Sequence, residues 1–214
     1  MNPPLFTKLE DTVLTITLNR PDQLNALTWE MMRMLRDTLE EASVDPGVRV
    51  VVLTGAGRGF CSGGDIRGRE QLDAADPIST KWSEDPVWKS LEMRTSQVLR
   101  MSTSPALLHT MPKPTIAMLR GPAAGAGLCL AAACDFRLAG DSAVFTTAFV
   151  NAARSGDFGG SYLLQHLVGP AKARELYLLG EKITADEALR LGLVTRVMPD
   201  EVLETETLQF AQRL

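Results

Sequence analysis

Apolar positions along this chain follow two patterns: short, nearly unbroken runs, and longer stretches with the three- and four-residue spacing of a helix face. The short runs predict strands at residues 13–18, 48–54, 114–119, 136–139 and 193–197. The helical spacing and its capping residues predict helices beginning near residues 28, 88, 126, 161, 171, 185 and 201. Thr28 is the predicted cap of the first, the second is predicted to run to about residue 108, and the third to residue 133. Because strands and helices alternate, the predicted fold class is α/β, with helices covering both faces of strand 48–54.

Two of the predicted strands run directly into glycine-rich turns. Strand 48–54 leads into GAGRGFCSGGD at residues 55–65, and strand 114–119 leads into RGPAAGAG at residues 120–127. Glycine permits positive φ angles and lets a second backbone or a ligand approach closely. Two such turns can aim two backbone N–H groups at one point, which is the arrangement that a thioester oxyanion requires.

Composition and charge argue against several classes of protein. The 214 residues suit one domain, and the net charge of −4 argues against a nucleic-acid partner. No apolar run approaches the roughly 18 residues of a membrane span, and the first residues show no secretory signal. Cys61, Cys129 and Cys134 are odd in number and lack metal-ligand spacing. They predict free thiols in a reducing cytoplasm and no metal site.

Familiar catalytic motifs do not fit the sequence. GFCSG at residues 59–63 has the wrong spacing for a hydrolase nucleophile elbow. Segment 57–62 fails the last position of a dinucleotide-binding fingerprint, and no Walker lysine motif occurs. His109 and His166 are isolated from suitable partners. Metal-dependent and serine-triad chemistry are therefore disfavoured.

Three motifs and two longer segments occur in a characteristic order. They are LNRPDQLNAL at residues 18–27, GFCSGGD at 59–65 and PKPTIA at 112–117, followed by segments 121–135 and 185–197. Together they resemble the enoyl-CoA hydratase/isomerase (crotonase) family from about Leu14 to the C-terminus. The resemblance implies a spiral of repeated ββα units, a trimer or dimer of trimers, an acyl-CoA substrate and no separate cofactor. It also implies a core domain at residues 1–198 and, at 199–214, the start of a C-terminal helical region that is truncated here.

The resemblance also implies an oxyanion hole and CoA-binding loops. The two backbone donors fall on Gly64 and Ala126. Asp65 is expected to order its turn by accepting backbone N–H bonds. Arg67 would contact a CoA phosphate, or else be an ordinary solvated arginine. The full set of implied substrate or CoA contacts in these loops is Gln23, Leu24, Ala26, Ser62, Gly63, Asp65, Ile66, Arg67 and Gly125.

The acid/base groups depart from the hydratase pattern of this family. Family hydratases hold a water with two glutamates, whose positions fall on Cys129 and Phe149. Neither residue can do the work of a carboxylate, so both are expected to line the acyl pocket. Asp157 matches the catalytic aspartate of the dienoyl-CoA isomerase, ring-epoxide isomerase and dihydroxynaphthoyl-CoA synthase branches, and Ser155 matches the Ser-x-Asp pattern of that synthase. Asp157 is the expected proton carrier, with a carboxylate that only stabilises a helix N-terminus as the alternative.

The sequence thus predicts an enoyl-CoA hydratase/isomerase-type enzyme, a lyase or isomerase of fatty acid metabolism. Alternatives are a non-catalytic acyl-CoA-binding member, an aromatic or cyclic acyl-CoA isomerase, a dihydroxynaphthoyl-CoA synthase-like enzyme, and a peptidase of the related Clp type. Residues 67–111 are the least regular stretch and predict a flap over the site, with a surface excursion as the alternative.

Overall fold

The computed structural model of the protein describes residues 3–65 and 90–214. The strands are β1 Leu5–Glu10, β2 Val13–Leu18, β3 Val50–Gly55, β4 Thr115–Leu119, β5 Pro122–Ala124, β6 Phe136–Gly140, β7 Val144–Thr146, β8 Ile183–Thr184 and β9 Arg196–Met198. The helices are α1 Trp29–Val44, α2 Leu91–Met101, α3 Thr103–Thr110, α4 Ala126–Ala133, α5 Gly160–Val168, α6 Pro170–Leu179, α7 Ala185–Arg190 and α8 Leu203–Gln212.

Within the described ranges these strands form a larger and a smaller sheet. The larger sheet has the order β1-β2-β3-β4-β6-β9, in which β1 is antiparallel to β2 and the other neighbours are parallel. The smaller sheet has the order β5-β7-β8, with β5 parallel to β7 and β7 antiparallel to β8. Because parallel neighbours are joined through helices, the predicted α/β class is confirmed.

Both faces of β3 are buried, as its apolar run predicted. Val51 and Leu53 belong to the main core, which they share with the apolar face of α1. Val50 and Val52 belong to a second core on the opposite face of the sheet, where α8 contributes Leu203. Successive side chains of a strand point to opposite faces, so an unbroken apolar run needs a cover on each side.

The prediction of one helix from about residue 88 to residue 108 is wrong. The chain forms α2 and α3 instead, and the two helices are separated at Ser102. Pro105 lies in the first turn of α3, where its missing N–H costs no helical hydrogen bond. In a continuous helix its ring would clash with the carbonyl of residue 101. Residues 66–89, which include most of the predicted flap, lie outside the described residues, so the flap stays a prediction.

The last strand lies further along the chain than residues 193–197. The N–H groups of Leu193 and Val194 donate to the carbonyl oxygen of Ala188, at 2.8 and 3.3 Å, and so complete the end of α7. Strand pairing with β6 therefore begins only at Arg196.

Strand β1 was not predicted, because only Leu5 of its six residues is buried. Asp11 and Thr12 carry the tight turn into β2, with φ angles of 46° and 67°. Two residues with positive φ form the type of turn that matches the twist of a β-hairpin. The edge of the larger sheet is therefore a short hairpin whose first strand carries little apolar signal.

Helix α4 carries the second glycine-rich turn against the first. All eight of its residues are buried. A Cβ atom added to Gly127 would lie 2.3 Å from the carbonyl oxygen of Cys61, so only glycine permits this approach. At the other end of the helix the buried guanidinium of Arg137 donates to the carbonyl oxygens of Ala131 and Cys134. These contacts at its two ends prevent α4 from shifting along its axis, and they hold its N-terminus beside the first turn.

Candidate active site

The two glycine-rich turns meet through a short backbone pairing. The N–H of Cys61 donates to the carbonyl oxygen of Pro122 at 3.0 Å, and the N–H of Ala124 donates to that of Cys61 at 2.9 Å. Gly63 has a φ of 98°, and a Cβ added there would lie 3.0 Å from the carbonyl oxygen of Ala124 and 3.6 Å from the nitrogen of Ala126. The turns are therefore in direct contact at the two predicted donor positions.

Within the described part of the chain, the backbone N–H groups of Gly64 and Ala126 donate to no backbone carbonyl. Ala126 begins α4, where the first N–H groups have no intrahelical partner. Leu27 pairs with the residues on either side of Gly64, at 2.8 Å to the carbonyl of Gly63 and 3.0 Å to the N–H of Asp65. The amide of Gly64 therefore faces away from Leu27, and no atom of residues 3–65 or 90–214 lies within 4 Å of the position that a Cβ on Gly64 would take.

Asn25 anchors the loop that leads into α1. Its side chain is fully buried and donates from Nδ2 to the carbonyl oxygens of Ala56 and Gly59, at 3.0 and 2.7 Å. Its Oδ1 accepts from the N–H of Arg20 at 2.8 Å. A fully hydrogen-bonded buried amide fixes its surroundings, so this loop is held rigidly on the first glycine-rich turn.

Arg20 links the same loop to Asp65. One guanidinium nitrogen, Nη1, donates to the carbonyl oxygen of Ala26 at 2.5 Å and to Asp65 Oδ2 at 3.0 Å. The Asp65 side chain is only 11% exposed. The sequence predicted that backbone N–H groups would bind this carboxylate, and that stays a prediction; the Arg20 side chain is a partner that the sequence did not predict. The ion pair fixes the residue next to Gly64.

The predicted CoA-binding loops lie side by side. The N–H of Ser62 donates to the carbonyl oxygen of Leu24 at 2.9 Å, and Ser62 Oγ donates to that of Gln23 at 3.3 Å. Gly125 lies across the first turn, because a Cβ added to it would come within 4.0 Å of the Cα of Gly63. Ile66 and Arg67 lie outside the described residues, so their roles stay predictions.

A second cluster brings together Cys129 and Phe149, the two residues predicted to stand at the positions of the family glutamates. Cys129 Sγ donates to the backbone carbonyl oxygen of Asp157 at 3.6 Å. The Phe149 ring stacks on the Tyr177 ring with centroids 5.8 Å apart and an interplanar angle of 7°. A Cβ added to Gly160 would lie 2.3 Å from both Cys129 Sγ and the Tyr177 hydroxyl oxygen. The structure therefore unites the three predicted residues of this cluster and adds Tyr177.

The second cluster adjoins the glycine-rich turns. A Cβ added to Gly125 would lie 3.8 Å from Cε1 of Phe149. Phe149 thus stands between the turns and the Tyr177 ring, while Cys129 belongs to the same helix that Ala126 begins. Backbone donors and the side-chain cluster are parts of one site.

The family model for enoyl-CoA hydratase/isomerase matches residues 8–214. The chain belongs to this family. A probable enoyl-CoA hydratase of Mycobacterium bovis is 38% identical over 205 residues, which are 94% of this chain and 68% of that protein. The 1,2-epoxyphenylacetyl-CoA isomerase of Escherichia coli is 36% identical over 210 residues, 98% of this chain and 75% of that enzyme. The crystal structure of a putative enoyl-CoA hydratase from Streptomyces coelicolor matches with a TM-score of 0.84 at 38% identity, covering 98% of this chain and 72% of that one.

Membership in the enoyl-CoA hydratase/isomerase family confirms the predicted crotonase-like fold and makes this chain an acyl-CoA enzyme of that family. No helix in residues 3–65 or 90–214 is long and apolar enough to cross a membrane. In the same ranges no three His, Cys, Asp or Glu side chains lie together where they could hold a metal ion.

Cys129 cannot replace the family glutamate as a base. Burial, together with the nearby charge of Asp157, raises the pKa of its thiol from 9.0 to about 12. The thiol is therefore protonated throughout the physiological range. Phe149 has no titratable group, so the carboxylate that remains in this cluster is that of Asp157.

Tyr177 was missed by the sequence analysis. It lies in α6 within the segment RELYLLG, where its spacing looks like that of an ordinary packing residue. No motif includes it, and it reaches the cluster only because α6 packs against α5, directly after Asp157. Its hydroxyl oxygen is buried, and burial raises the pKa of the phenol.

Proposed function

We propose that this enzyme isomerises an acyl-CoA thioester by proton transfer through Asp157. In this proposal the N–H groups of Gly64 and Ala126 bind the thioester oxygen and stabilise the enolate that forms there. Gln23, Leu24, Ala26 and Ser62 belong to the loops that hold CoA. The observation that carries the proposal is the Cys129–Asp157 contact of 3.6 Å, which sets residue 157 beside a position where hydratases of the family carry a glutamate.

A single carboxylate is enough for this isomerisation, because the same group removes a proton and returns it. Asp157 takes a proton from the α or γ carbon of the acyl chain, and the electron pair moves onto the thioester oxygen. The protonated Asp157 then returns the proton to a different carbon, so the double bond shifts and the carboxylate is regenerated. This sequence needs no cofactor other than the CoA that belongs to the substrate.

Isomerisation suits this cluster better than hydration does. Hydration by the family scheme needs two carboxylates to hold and activate water, and Cys129 and Phe149 occupy their positions. A relative that is 36% identical to this chain, from Escherichia coli, is named as an isomerase, 1,2-epoxyphenylacetyl-CoA isomerase. Its name supports an isomerase among proteins this similar to the chain. Helix stabilisation explains Asp157 less well, since Gly159 and not Asp157 occupies the N-cap of α5.

Asp157→Asn tests the proposal. Asparagine keeps the shape of the side chain and removes the base, so turnover should fall about 10² to 10⁴-fold while acyl-CoA affinity holds. Wild type and variant are assayed on straight-chain, branched, aromatic and ring-epoxide acyl-CoAs, with double-bond position followed by chromatography. Asp141→Asn, which alters an exposed aspartate, is the matched control. Full activity of Asp157→Asn on any substrate that the wild type converts would contradict the proposal.

A second candidate is a non-catalytic acyl-CoA-binding protein. It is favoured by the prediction that Cys129 and Phe149, neither of which is a carboxylate, stand at the positions of the two family glutamates. It predicts that the wild type binds the whole panel by calorimetry and converts none of it. A trimer or dimer of trimers and a cytoplasmic location remain predictions, and light scattering of the purified protein tests the former.

A further inference from the structure

The Tyr177 hydroxyl is a buried polar group without a hydrogen-bond partner of good geometry among the described residues. Leaving such a group unsatisfied destabilises the folded state. Buried polar groups of this kind call for an explanation, and an absent ligand is one. The position of this hydroxyl indicates which part of a ligand it would meet.

Room for the Tyr177 side chain depends on two glycines. A Cβ added to Gly156 would lie 2.9 Å from Cε1 of Tyr177, and one added to Gly160 would lie 2.3 Å from its hydroxyl oxygen. Stacking against Phe149 fixes the plane of the ring. The hydroxyl is thus held in one place rather than left to rotate away.

Among the described residues the hydroxyl meets a weak acceptor. It adjoins Cys129 Sγ, whose own proton goes to the carbonyl oxygen of Asp157, and sulfur is a weak acceptor. The face of the phenol ring is covered by the apolar ring of Phe149. A ligand oxygen would be a stronger acceptor for this hydroxyl than the thiol is.

The Phe149 ring lies between the glycine-rich turns and Tyr177. Phe149 stands between Gly125 and Tyr177, with the ring centroids of the stacked pair 5.8 Å apart. A group that binds at Gly64 and Ala126 therefore lies on the near side of Phe149, and Tyr177 meets atoms further along the acyl chain.

We infer that the Tyr177 hydroxyl donates to an oxygen atom on the acyl chain, so that acyl-CoAs with a hydroxyl, keto or epoxide oxygen beyond the thioester are the preferred substrates. This inference rests on the proposed acyl-CoA function. A site that hydrogen-bonds a substrate oxygen discriminates against the analogue that lacks it, because its own polar group is then left unpaired. A neutral hydrogen bond contributes on the order of a 10-fold preference.

Binding of saturated acyl-CoAs tests the inference without turnover. Hexanoyl-CoA is compared by calorimetry with hexanoyl-CoAs that carry one keto or hydroxyl group at each carbon from the β carbon onward in turn. The wild type should bind at least one oxygenated probe about 10-fold more tightly than hexanoyl-CoA. In Tyr177→Phe the ratio of the two affinities should fall to about one, since phenylalanine keeps the stack on Phe149 and loses the hydroxyl. This ratio is insensitive to a loss of folded protein that affects both probes equally.

Tyr162→Phe is the matched control, because Tyr162 is the other tyrosine of the chain and is 57% exposed. Its affinity ratio should equal that of the wild type. Equal binding of all probes by the wild type, or an unchanged ratio in Tyr177→Phe, would overturn the inference while leaving the proposed acyl-CoA function intact. Failure of the wild type to bind any of these probes would instead overturn the proposed function and the inference with it.

Discussion

The two halves of the site are built from different parts of the chain. The glycine-rich turns present the backbone N–H groups of Gly64 and Ala126. A backbone N–H does not depend on which side chain the residue carries, provided that the residue is not proline. The cluster of Cys129, Phe149 and Asp157 depends entirely on side chains. A family can therefore keep thioester binding through the first half and change the reaction by substituting residues in the second.

The two halves also differ in their surroundings. Beside Gly64, no atom of the described residues lies within 4 Å of a Cβ position, which leaves room there for a ligand oxygen. Around Cys129 the space is filled by a stacked aromatic pair and by a thiol whose pKa burial raises to about 12. Backbone donors need room for a ligand oxygen. The proposed acid/base role of Asp157 instead needs apolar surroundings in which a single carboxylate can exchange a proton.

The largest effect should come from removing a donor in the backbone half. Gly64→Pro deletes the N–H and should lower turnover on the order of 10² to 10³-fold. Gly64→Ala keeps the N–H, and its Cβ meets no atom of the residues that the structure describes within 4 Å, so its turnover should stay close to that of the wild type. Steady-state kinetics on the best substrate of the panel measures both variants.

The comparison between proline and alanine separates the donor from the shape of the turn. The Gly64 N–H donates to no backbone carbonyl of the described residues, so its loss removes no hydrogen bond seen in the fold. Circular dichroism and thermal melting of the proline variant check that the fold persists. Equal turnover of Gly64→Pro and wild type would show that this amide is not an oxyanion donor.

A smaller effect is expected from loosening the support of the same turn. Asp65→Asn weakens the contact of 3.0 Å with the Arg20 guanidinium, which holds the residue after Gly64. Because the Leu27 pairing still holds the turn, turnover should fall only about 10-fold, with a small change in KM, as a charge-assisted hydrogen bond is weakened. Asp22→Asn alters an exposed aspartate of the neighbouring loop and should leave both constants unchanged. A KM effect without a kcat effect would argue that Asp65 acts in binding alone.

Sequence patterns predicted the backbone half more completely than the side-chain half. Helix α4 spans the predicted residues 126–133, since its small apolar residues begin and end at sharp breaks in the pattern. Thr28 caps α1 as predicted, with its Oγ1 accepting from the N–H of Met31 at 3.2 Å. Glycine positions report where the backbone must bend or approach, and this information is local in sequence.

Contacts between distant segments could not be read in the same way. Tyr177 lies 48 positions from Cys129 and carries no motif that marks it, and the ion pair of Arg20 with Asp65 spans 45 positions. The break between α2 and α3 at Ser102 was missed because the apolar spacing continues through it while Pro105 forbids a continuous helix. Tertiary packing decides such features, and periodicity does not record it.

The smallest effect should come from substituting Cys129. This substitution tests whether Asp157 or the Cys129 thiol is the acid/base group of the side-chain half. With a pKa of about 12, the thiol is deprotonated in only about one molecule in 10⁵ at pH 7, so it contributes no base to the reaction. Cys129→Ala should therefore change turnover by less than about 3-fold and leave the pH–rate profile unshifted.

The same substitution should change how the stability of the protein depends on alkaline pH. The unfolded thiol ionises near pH 9.0 and the folded one near 12, so the wild type loses unfolding free energy as the pH rises between these values, and the variant should lose less. Urea unfolding at pH 8 and pH 10 measures this difference, with Cys134→Ala, which removes a thiol raised to the same pKa by burial, as the matched comparison. A large fall in turnover with a shifted pH profile in Cys129→Ala alone would move the acid/base role from Asp157 to the thiol.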